Sequence, residues 1–286
     1  MCGIAGIVSY ASAAPSVNQT ELRAIRDHMS LRGPDGSGEW FSQDGRVGLG
    51  HRRLAIIDLS ERGAQPMASG DGRYLITFNG EIYNYVELRK DLIELGLRFR
   101  TSSDTEVLLN AYIAWGDKCV TRLNGMFAFA IYDPQRQRVM FARDRSGVKP
   151  LYYCAGENYF AAASEPKALL GLGLASRQQD NFAISQFLSA GSYATGVNTF
   201  YNDIHRVEAA HYVAVNPHSL ERTSARYWDY PHPSPRYSDP GAIADEFGHL
   251  LTDAIKVRLR SDVPVGISLS GGLDSTAVLA GTTASG

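Results

Sequence analysis

A sheet-rich α+β domain with helices on its outer faces, followed by the beginning of an α/β unit, is the architecture this sequence predicts. Three observations carry it. Short apolar runs bounded by Gly, Pro, Asn and Asp recur through the first two-thirds of the chain. Three stretches of helical periodicity interrupt them. Prolines at 231, 233, 235 and 240 then set off a last segment that returns to helical periodicity. At 286 residues there is room for about two domains.

Taken in order, Ile4, Ile7 and Val8 set a first strand starting at Cys2. Leu22, Ile25 and Met29 make a helix after the polar start Asn18-Gln19-Thr20. Arg32 to Gly36 is turn chemistry, and strands follow at Val47–Leu54 and Tyr74–Asn79. Leu88, Leu92 and Leu95 mark a second helix closed by Gly96. Ser103 or Asp104 caps a third, with Val107, Leu108, Ala111 and Tyr112 on one face. Met126–Asp133, Val139–Arg143, Leu151–Cys154 and Tyr159–Ala163 read as consecutive strands. After the Pro-rich linker, Ile243, Phe247, Leu250, Leu251, Ala254 and Val257 are helical in period. Val263–Leu269 reads as a buried strand, and Leu273 opens another helix. One helix–strand–loop–helix unit cannot cover both faces of a parallel sheet, so the second domain reads as incomplete. The expected boundaries are 1–217, a linker at 218–240, and 241–286.

Composition narrows the function. With 44% hydrophobic and 20% charged residues the chain is an ordinary globular one. A net charge of −2 and the lack of Lys/Arg runs argue against a nucleic-acid face. No apolar stretch reaches the ~18 residues of a membrane span. Cys2, Cys119 and Cys154 show no CxxC and fit a reducing cytoplasm, the expected location. Seven histidines without an HExxH give no metal pattern, so no structural metal is expected. Residues 1–15 lack the basic region of a secretory signal, and Gly3 and Gly6 interrupt their apolar run.

Chemistry concentrates at a few points. Loss of Met1 would put a thiol and a free α-amine on Cys2. The thiol, with a pKa near ~8.5, needs a base, and an α-amine near ~7.7–8.0 can serve. Arg52 and Arg53 sit at the end of a strand. Asn79-Gly80-Glu81 combines an amide, a flexible backbone and a carboxylate; a side-chain amide and a glycine N–H suit an oxyanion. Ordinary readings compete: core packing for Cys2, a surface ion pair for the arginines, an Asn-Gly turn at 79–80, a helix cap at Asp104. Ser270-Gly271-Gly272, between Val263–Leu269 and Asp274-Ser275, offers backbone N–H groups and a helix N-terminus to phosphate. It lacks the lysine of a GxxxxGK[ST] loop.

These motifs, in order, resemble a family. Cys2-Gly3-Ile4, Arg32-Gly33-Pro34-Asp35, His51 to Asp58, Asn79 to Asn84, Ser103 to Glu106, Gly125 to Ala130 and Ala142 to Tyr152 are similar to a class II (N-terminal nucleophile) glutamine amidotransferase domain. Arg143-Asp144-Arg145, Gly147 and Lys149 to Tyr153 narrow the resemblance to the asparagine synthetase (glutamine-hydrolysing) type, and Ser270 to Ser275 resembles the pyrophosphate loop of its synthetase domain. Two departures stand out: Leu31, where many relatives have histidine, and Ala209-Ala210-His211 in place of Pro-Gly-His.

The resemblance implies a four-layer αββα N-terminal-nucleophile hydrolase fold, followed by an incomplete α/β ATP-pyrophosphatase domain. It implies that Cys2 attacks the amide carbon of glutamine, with Asn79 and Gly80 holding the oxyanion. Arg53 would grip the α-carboxylate and Glu81 and Asp104 the α-ammonium, with Leu54, Ala55, Ile56 and Ile57 lining the pocket. Leu269, Ser270, Gly271, Gly272, Leu273, Asp274 and Ser275 would bind ATP. Glutamine hydrolysis would need no cofactor; the full synthetase would use ATP with magnesium, and aspartate. A homodimer, or a second chain supplying the rest of the synthetase domain, is the expected partner. The alternatives are a sister amidotransferase with another carboxylate acceptor and an inactive remnant. Cys119 and Cys154 are expected to be core residues.

Overall fold

In the computed structural model of the protein, described at residues 1–10, 14–171, 174–191, 196–219, 221–231 and 239–284, the main sequence periods of the first two-thirds of the chain find a surface to bury. The first strand, β1 (Gly3–Ser9), is buried along its whole length because it is covered on both faces. Helix α1 (Gln19–His28) starts where the Asn18 side chain accepts from the Thr20 and Glu21 N–H groups, and it lays Leu22 and Ile25 on β1. Strands β2 (Gly36–Phe41), β3 (Val47–Arg53), β4 (Met67–Ala68) and β5 (Leu75–Ile82) follow. Helix α2 (Tyr85–Glu94) ends before Gly96, which takes the positive φ (+87°) that terminates the helix. Helix α3 (Asp104–Trp115) is capped by Ser103, whose side chain accepts from Thr105 N–H. It is buried on all sides from Asp104 to Tyr112, a wider burial than the single apolar face expected.

The short helix α4 (Cys119–Arg122) leads into β6 (Gly125–Asp133), β7 (Arg138–Arg143), β8 (Tyr152–Ala155) and β9 (Tyr159–Ala163). Helices α5 (Pro166–Leu170) and α6 (Asn181–Ala190) precede β10 (His205–Arg206), β11 (His211–Val215) and β12 (Arg222–Arg226). The strands make two antiparallel sheets, in the orders β10-β8-β9-β1-β3-β2 and β12-β11-β7-β6-β5-β4. One core, with Ile4, Val8, Leu49 and Phe141, lies between the sheets. A second packs α1 and α5 on the outside of the first sheet, and a third packs α2 and α3 on the second. This is the expected four-layer α+β arrangement.

Several expectations change in detail. Cys2 precedes the first strand instead of starting it. Asn79-Gly80-Glu81 is not a strand end or a turn: β5 continues to Ile82, paired with β6 from Leu75↔Tyr132 to Ile82↔Gly125. Leu95 lies past the end of α2 and is exposed. Strand β12 falls inside the stretch expected to be linker and pairs with β11 (Tyr212↔Ala225). Its sequence, Arg-Thr-Ser-Ala-Arg, carries no apolar run, because an edge strand can be held by main-chain hydrogen bonds alone. Pro233 and Pro235 lie outside the described residues, and Pro240 is the first residue of a helix.

The chain divides into Met1–Asp229 and Tyr230–Gly286. The second unit contains α7 (Pro240–Arg258), capped by Asp239 accepting from Gly241 and Ala242 N–H, and α8 (Leu273–Ala284). Gly281 lets the two helices meet, since a Cβ there would lie 2.4 Å from Cδ1 of Ile255. Val263–Leu269, expected as a buried strand, is neither: it has no strand pairing, and Val265 and Leu269 are exposed. A strand needs a neighbour for its main-chain groups, and none of the described residues of this unit supplies one. No described helix is long and apolar enough to cross a membrane.

Candidate active site

Side-chain alternation builds the site. On the inter-sheet side, β1 presents Val8 and Ile4, and the next residue in that row is Cys2. The corresponding row of β3 runs Val47, Leu49, His51, Arg53, and that of β5 runs Leu75, Thr77, Asn79, Glu81. Each row starts apolar and becomes polar toward one end. The polar ends meet around a cavity of about 220 Å³, which brings together Cys2, Arg53 to Ile57, Asn79 to Glu81 and Asp104.

Cys2 is gripped through its main chain and its sulfur. Arg32 Nε donates to its carbonyl at 3.0 Å while Nη1 reaches Glu165 at 3.2 Å. Its Sγ lies 3.3 Å from the donating Leu54 N–H and 3.5 Å from the Leu54 carbonyl. Burial pushes the thiol pKa up, which the Leu54 N–H partly offsets. Met1 also lines the cavity, and burial holds its α-amine below the ordinary value. The Arg32–Asp35 turn therefore belongs to the site's support. Asp35 N–H donates to the Arg53 carbonyl at 3.0 Å and its carboxylate accepts from Ala55 N–H at 2.9 Å. A Cβ at Gly33 would meet the Arg52 carbonyl carbon at 2.3 Å, so only glycine lets the turn close on β3. Leu31, the departure beside it, is 92% exposed and clear of the cavity.

Asn79 is almost fully buried, at 1% exposure, and its Nδ2 has no hydrogen-bond partner among the described residues. A buried unsatisfied amide costs about 1–3 kcal/mol, so a donor left free beside a cavity marks a place for an acceptor. Gly80 next to it is sterically required: a Cβ would stand 2.2 Å from the Met126 carbonyl oxygen on the neighbouring strand. Arg53 is oriented by two main-chain carbonyls, Ser60 at 2.7 Å and Asp58, and its guanidinium packs over Gly63. Arg52 points away, to Asp27 at 2.8 Å.

Asp104 sits in the first turn of α3 and accepts from Ile82 N–H at 3.0 Å. Burial pushes its carboxyl up to about 7, against that hydrogen bond, and the Glu81 charge adds to the rise. Glu81 is raised as well, mainly by burial. Two acidic groups are therefore held in one pocket, with Lys149 the cation whose charge acts on Glu81, an arrangement that favours an ammonium ligand.

Two lining residues were not legible as site residues. Gln65 clamps β5 to α3, its Oε1 accepting from Phe78 N–H at 2.6 Å and its Nε2 donating to Thr105 Oγ1 at 3.2 Å. Those partners are distant in sequence, and no local pattern signals them. Lys149 is buried at 6% exposure, in the cavity wall. Its place in the run from Arg143 to Tyr153 was the available signal. Cys119 and Cys154 are core residues, fully buried or nearly so. In the second unit, Ser270 to Ser275 leads into α8, with Gly271 at φ +81° and Ser270 Oγ 3.2 Å from Ser275 Oγ. Leu269 before it and Leu273 within it are exposed. The described residues contain no cluster of three or more His, Cys, Asp or Glu able to hold a metal ion.

Comparison with known proteins agrees with this geometry. Residues 1–228 match the family described as "Glutamine amidotransferase domain", and residues 246–285 match "Asparagine synthase". The chain is 40% identical to asparagine synthetase [glutamine-hydrolyzing] 3 of Bacillus subtilis, over 98% of this chain and 45% of that one. It is 36% identical to a putative asparagine synthetase of Methanocaldococcus jannaschii, over 98% of this chain and 56% of that one. It is also 35% identical to amidase chry2 of Gibberella zeae, over 97% of this chain and 42% of that one. The chain thus spans about half the length of these relatives. Among solved structures, the glutamine phosphoribosylpyrophosphate amidotransferase of B. subtilis matches with a TM-score of 0.58 at 19% identity, over 99% of this chain and 64% of that one, a likeness of fold. With its two sheets, its pocket and these matches, the chain belongs to the glutamine amidotransferase family, in the branch in which an asparagine synthase segment follows the amidotransferase domain.

Proposed function

We propose that the Met1–Asp229 unit hydrolyses glutamine, with Cys2 as nucleophile. The observation that carries this reading is the unpartnered Asn79 Nδ2 in the cavity that also holds the Cys2 sulfur. After removal of Met1, the α-amine of Cys2 takes the thiol proton, and the sulfur attacks the side-chain amide carbon of glutamine. The carbonyl oxygen becomes an oxyanion, met by Asn79 Nδ2 and the Gly80 N–H. Collapse of the adduct breaks the C–N bond, the ammonium returns its proton to the leaving nitrogen, and ammonia departs from a thioester. Water then hydrolyses the thioester to glutamate and restores the thiol. Arg53 faces the α-carboxylate with a planar fork suited to it, and Glu81 and Asp104 face the α-ammonium. Measuring glutamate release from glutamine tests this reading. Wild-type turnover by Cys2→Ala protein overturns it.

For the whole protein we propose glutamine-dependent asparagine synthesis: ATP, aspartate, glutamine and water give asparagine, glutamate, AMP and pyrophosphate. Support comes from the asparagine synthetase relatives and from the Ser270–Ser275 loop. Of the loop residues only Asp274 is a carboxylate, so this stretch does not fit a magnesium site by itself. A second reading, transfer of ammonia to another carboxylate, is favoured by the relatives named amidases. Feeding the full-length protein aspartate, ATP and glutamine distinguishes them by whether asparagine forms.

A further inference from the structure

Lys149 stands in the cavity wall, and the glutaminase reading gives it no role. The hydrogen bonds recorded for it are made by its main chain. Its N–H donates to Asp144 at 2.9 Å, and its carbonyl accepts from Arg143 Nε at 2.8 Å. Asp144 also accepts from the N–H groups of Phe127, Ser146 and Val148, and Gly147 takes a positive φ of 65° inside the resulting loop. The loop is thus fixed by one carboxylate on four main-chain donors, and it delivers the Lys149 side chain to the cavity holding Cys2 and Glu81. The ammonium forms no ion pair with any carboxylate among the described residues. A buried cation whose carboxylate neighbours stay beyond ion-pair distance is unfavourable for the fold, and it gains when negative charge develops beside it.

We propose that Lys149 is a positioning residue for the glutaminase step, its ammonium stabilising the anionic sulfur of Cys2 as the thiol proton leaves. The proposal rests on Cys2 being the nucleophile. The charges around that sulfur come from every surrounding element. The terminal amine stands before β1; Arg32 and Asp35 stand on the turn before β2; Arg53 ends β3. Glu81 lies on β5, and Asp104 starts α3. Of the three cationic side chains, Arg53 is engaged by the Asp58 and Ser60 carbonyls, and Arg32 by the Cys2 carbonyl and Glu165. Lys149 shares the cavity wall with Glu81 and Cys2, and its charge interacts first with Glu81 and then with the Cys2 sulfur.

The test is the pH dependence of Cys2 alkylation by iodoacetamide, followed by mass spectrometry of the amino-terminal peptide, which needs no turnover. Lys149→Met moves the midpoint of the labelling curve up by about one pH unit, and Lys149→Arg, which keeps the charge, restores it. Lys149→Gln serves as the second neutral variant should the Met protein not fold. A labelling curve unchanged in a folded neutral variant, or an Arg variant shifted as far as the neutral ones, overturns the proposal. Loss of glutamate release in Cys2→Ala beside an unshifted Lys149 curve leaves the glutaminase reading standing and removes this role alone.

Discussion

Asn79 keeps an amide donor that no described residue satisfies, and this separates activity from stability at a single residue. Asn79→Ala is expected to lower kcat for glutamine hydrolysis by about 10²–10³, with little change in KM. Because the lost amide donor has no partner among the described residues, the melting temperature should not fall. Steady-state kinetics and a thermal melt on the same preparation check both halves. The two neighbouring arginines give a matched contrast. Arg53→Ala should raise KM strongly, whereas Arg52→Ala, which removes only the bond to Asp27, should leave KM nearly unchanged. Asp104 supplies a pH dependence. Its carboxyl titrates near 7 in the folded protein, against an ordinary value of 3.8, so it is largely neutral below 7 and charged above. A charged carboxylate holds the substrate ammonium, so glutamine affinity should rise with pH up to about 7 and then level off. Binding to Cys2→Ala protein, measured by calorimetry across pH, should show this rise, and Asp104→Asn should flatten it. The same shift means that folding stability is lost as pH rises from about 4 towards 7, the range in which the unfolded chain has released this proton and the folded chain has not.

At the scale of elements, the pairing of β5 with β6 decides whether the site forms. A Cβ at Gly80 would sit 2.2 Å from the Met126 carbonyl oxygen and 2.7 Å from Phe127 Cα, both main-chain atoms that cannot move without opening the ladder. Gly80→Ala is therefore expected to destabilise by about 1–3 kcal/mol or more, read as a lowered urea midpoint. Most elements were legible because their periods are plain. Val47 to Leu49 and Phe127 to Ile131 are continuous buried runs, and Asn18 and Ser103 are recognisable caps. Asn79-Gly80 reads locally as a turn, since nothing in those residues reveals the β6 partner that keeps them extended. For the same reason β12 and the Gln65 clamp were not legible: both depend on partners far along the chain. The resemblance to a family supplied the site residues, while the geometry supplied their support, from Arg32, Asp35, Gln65 and Asp144.

Taken whole, the molecule is two units with unequal burial. Met1–Asp229 has three cores, whereas the second unit leaves Phe247, Leu250, Val265 and Leu273 at least half exposed. Limited proteolysis should cut after Asp229 first and leave a fragment with undiminished glutaminase activity. Equal resistance of both units, or loss of glutamate release on cleavage, goes against that division of labour. Val263–Leu269 shows why the second unit was the harder part to read. Its apolar composition was legible, but a strand exists only with a neighbour to pair with, and composition does not show whether one is there. Cys2, freed of Met1, is expected to form a covalent bond with the glutamyl group during turnover. Acid quenching during turnover followed by intact-mass and peptide analysis tests it most directly. The expected result is a γ-glutamyl thioester on protein that begins at Cys2, absent from Cys2→Ala protein. A fully active enzyme that retains Met1 and carries no adduct at Cys2 would contradict it.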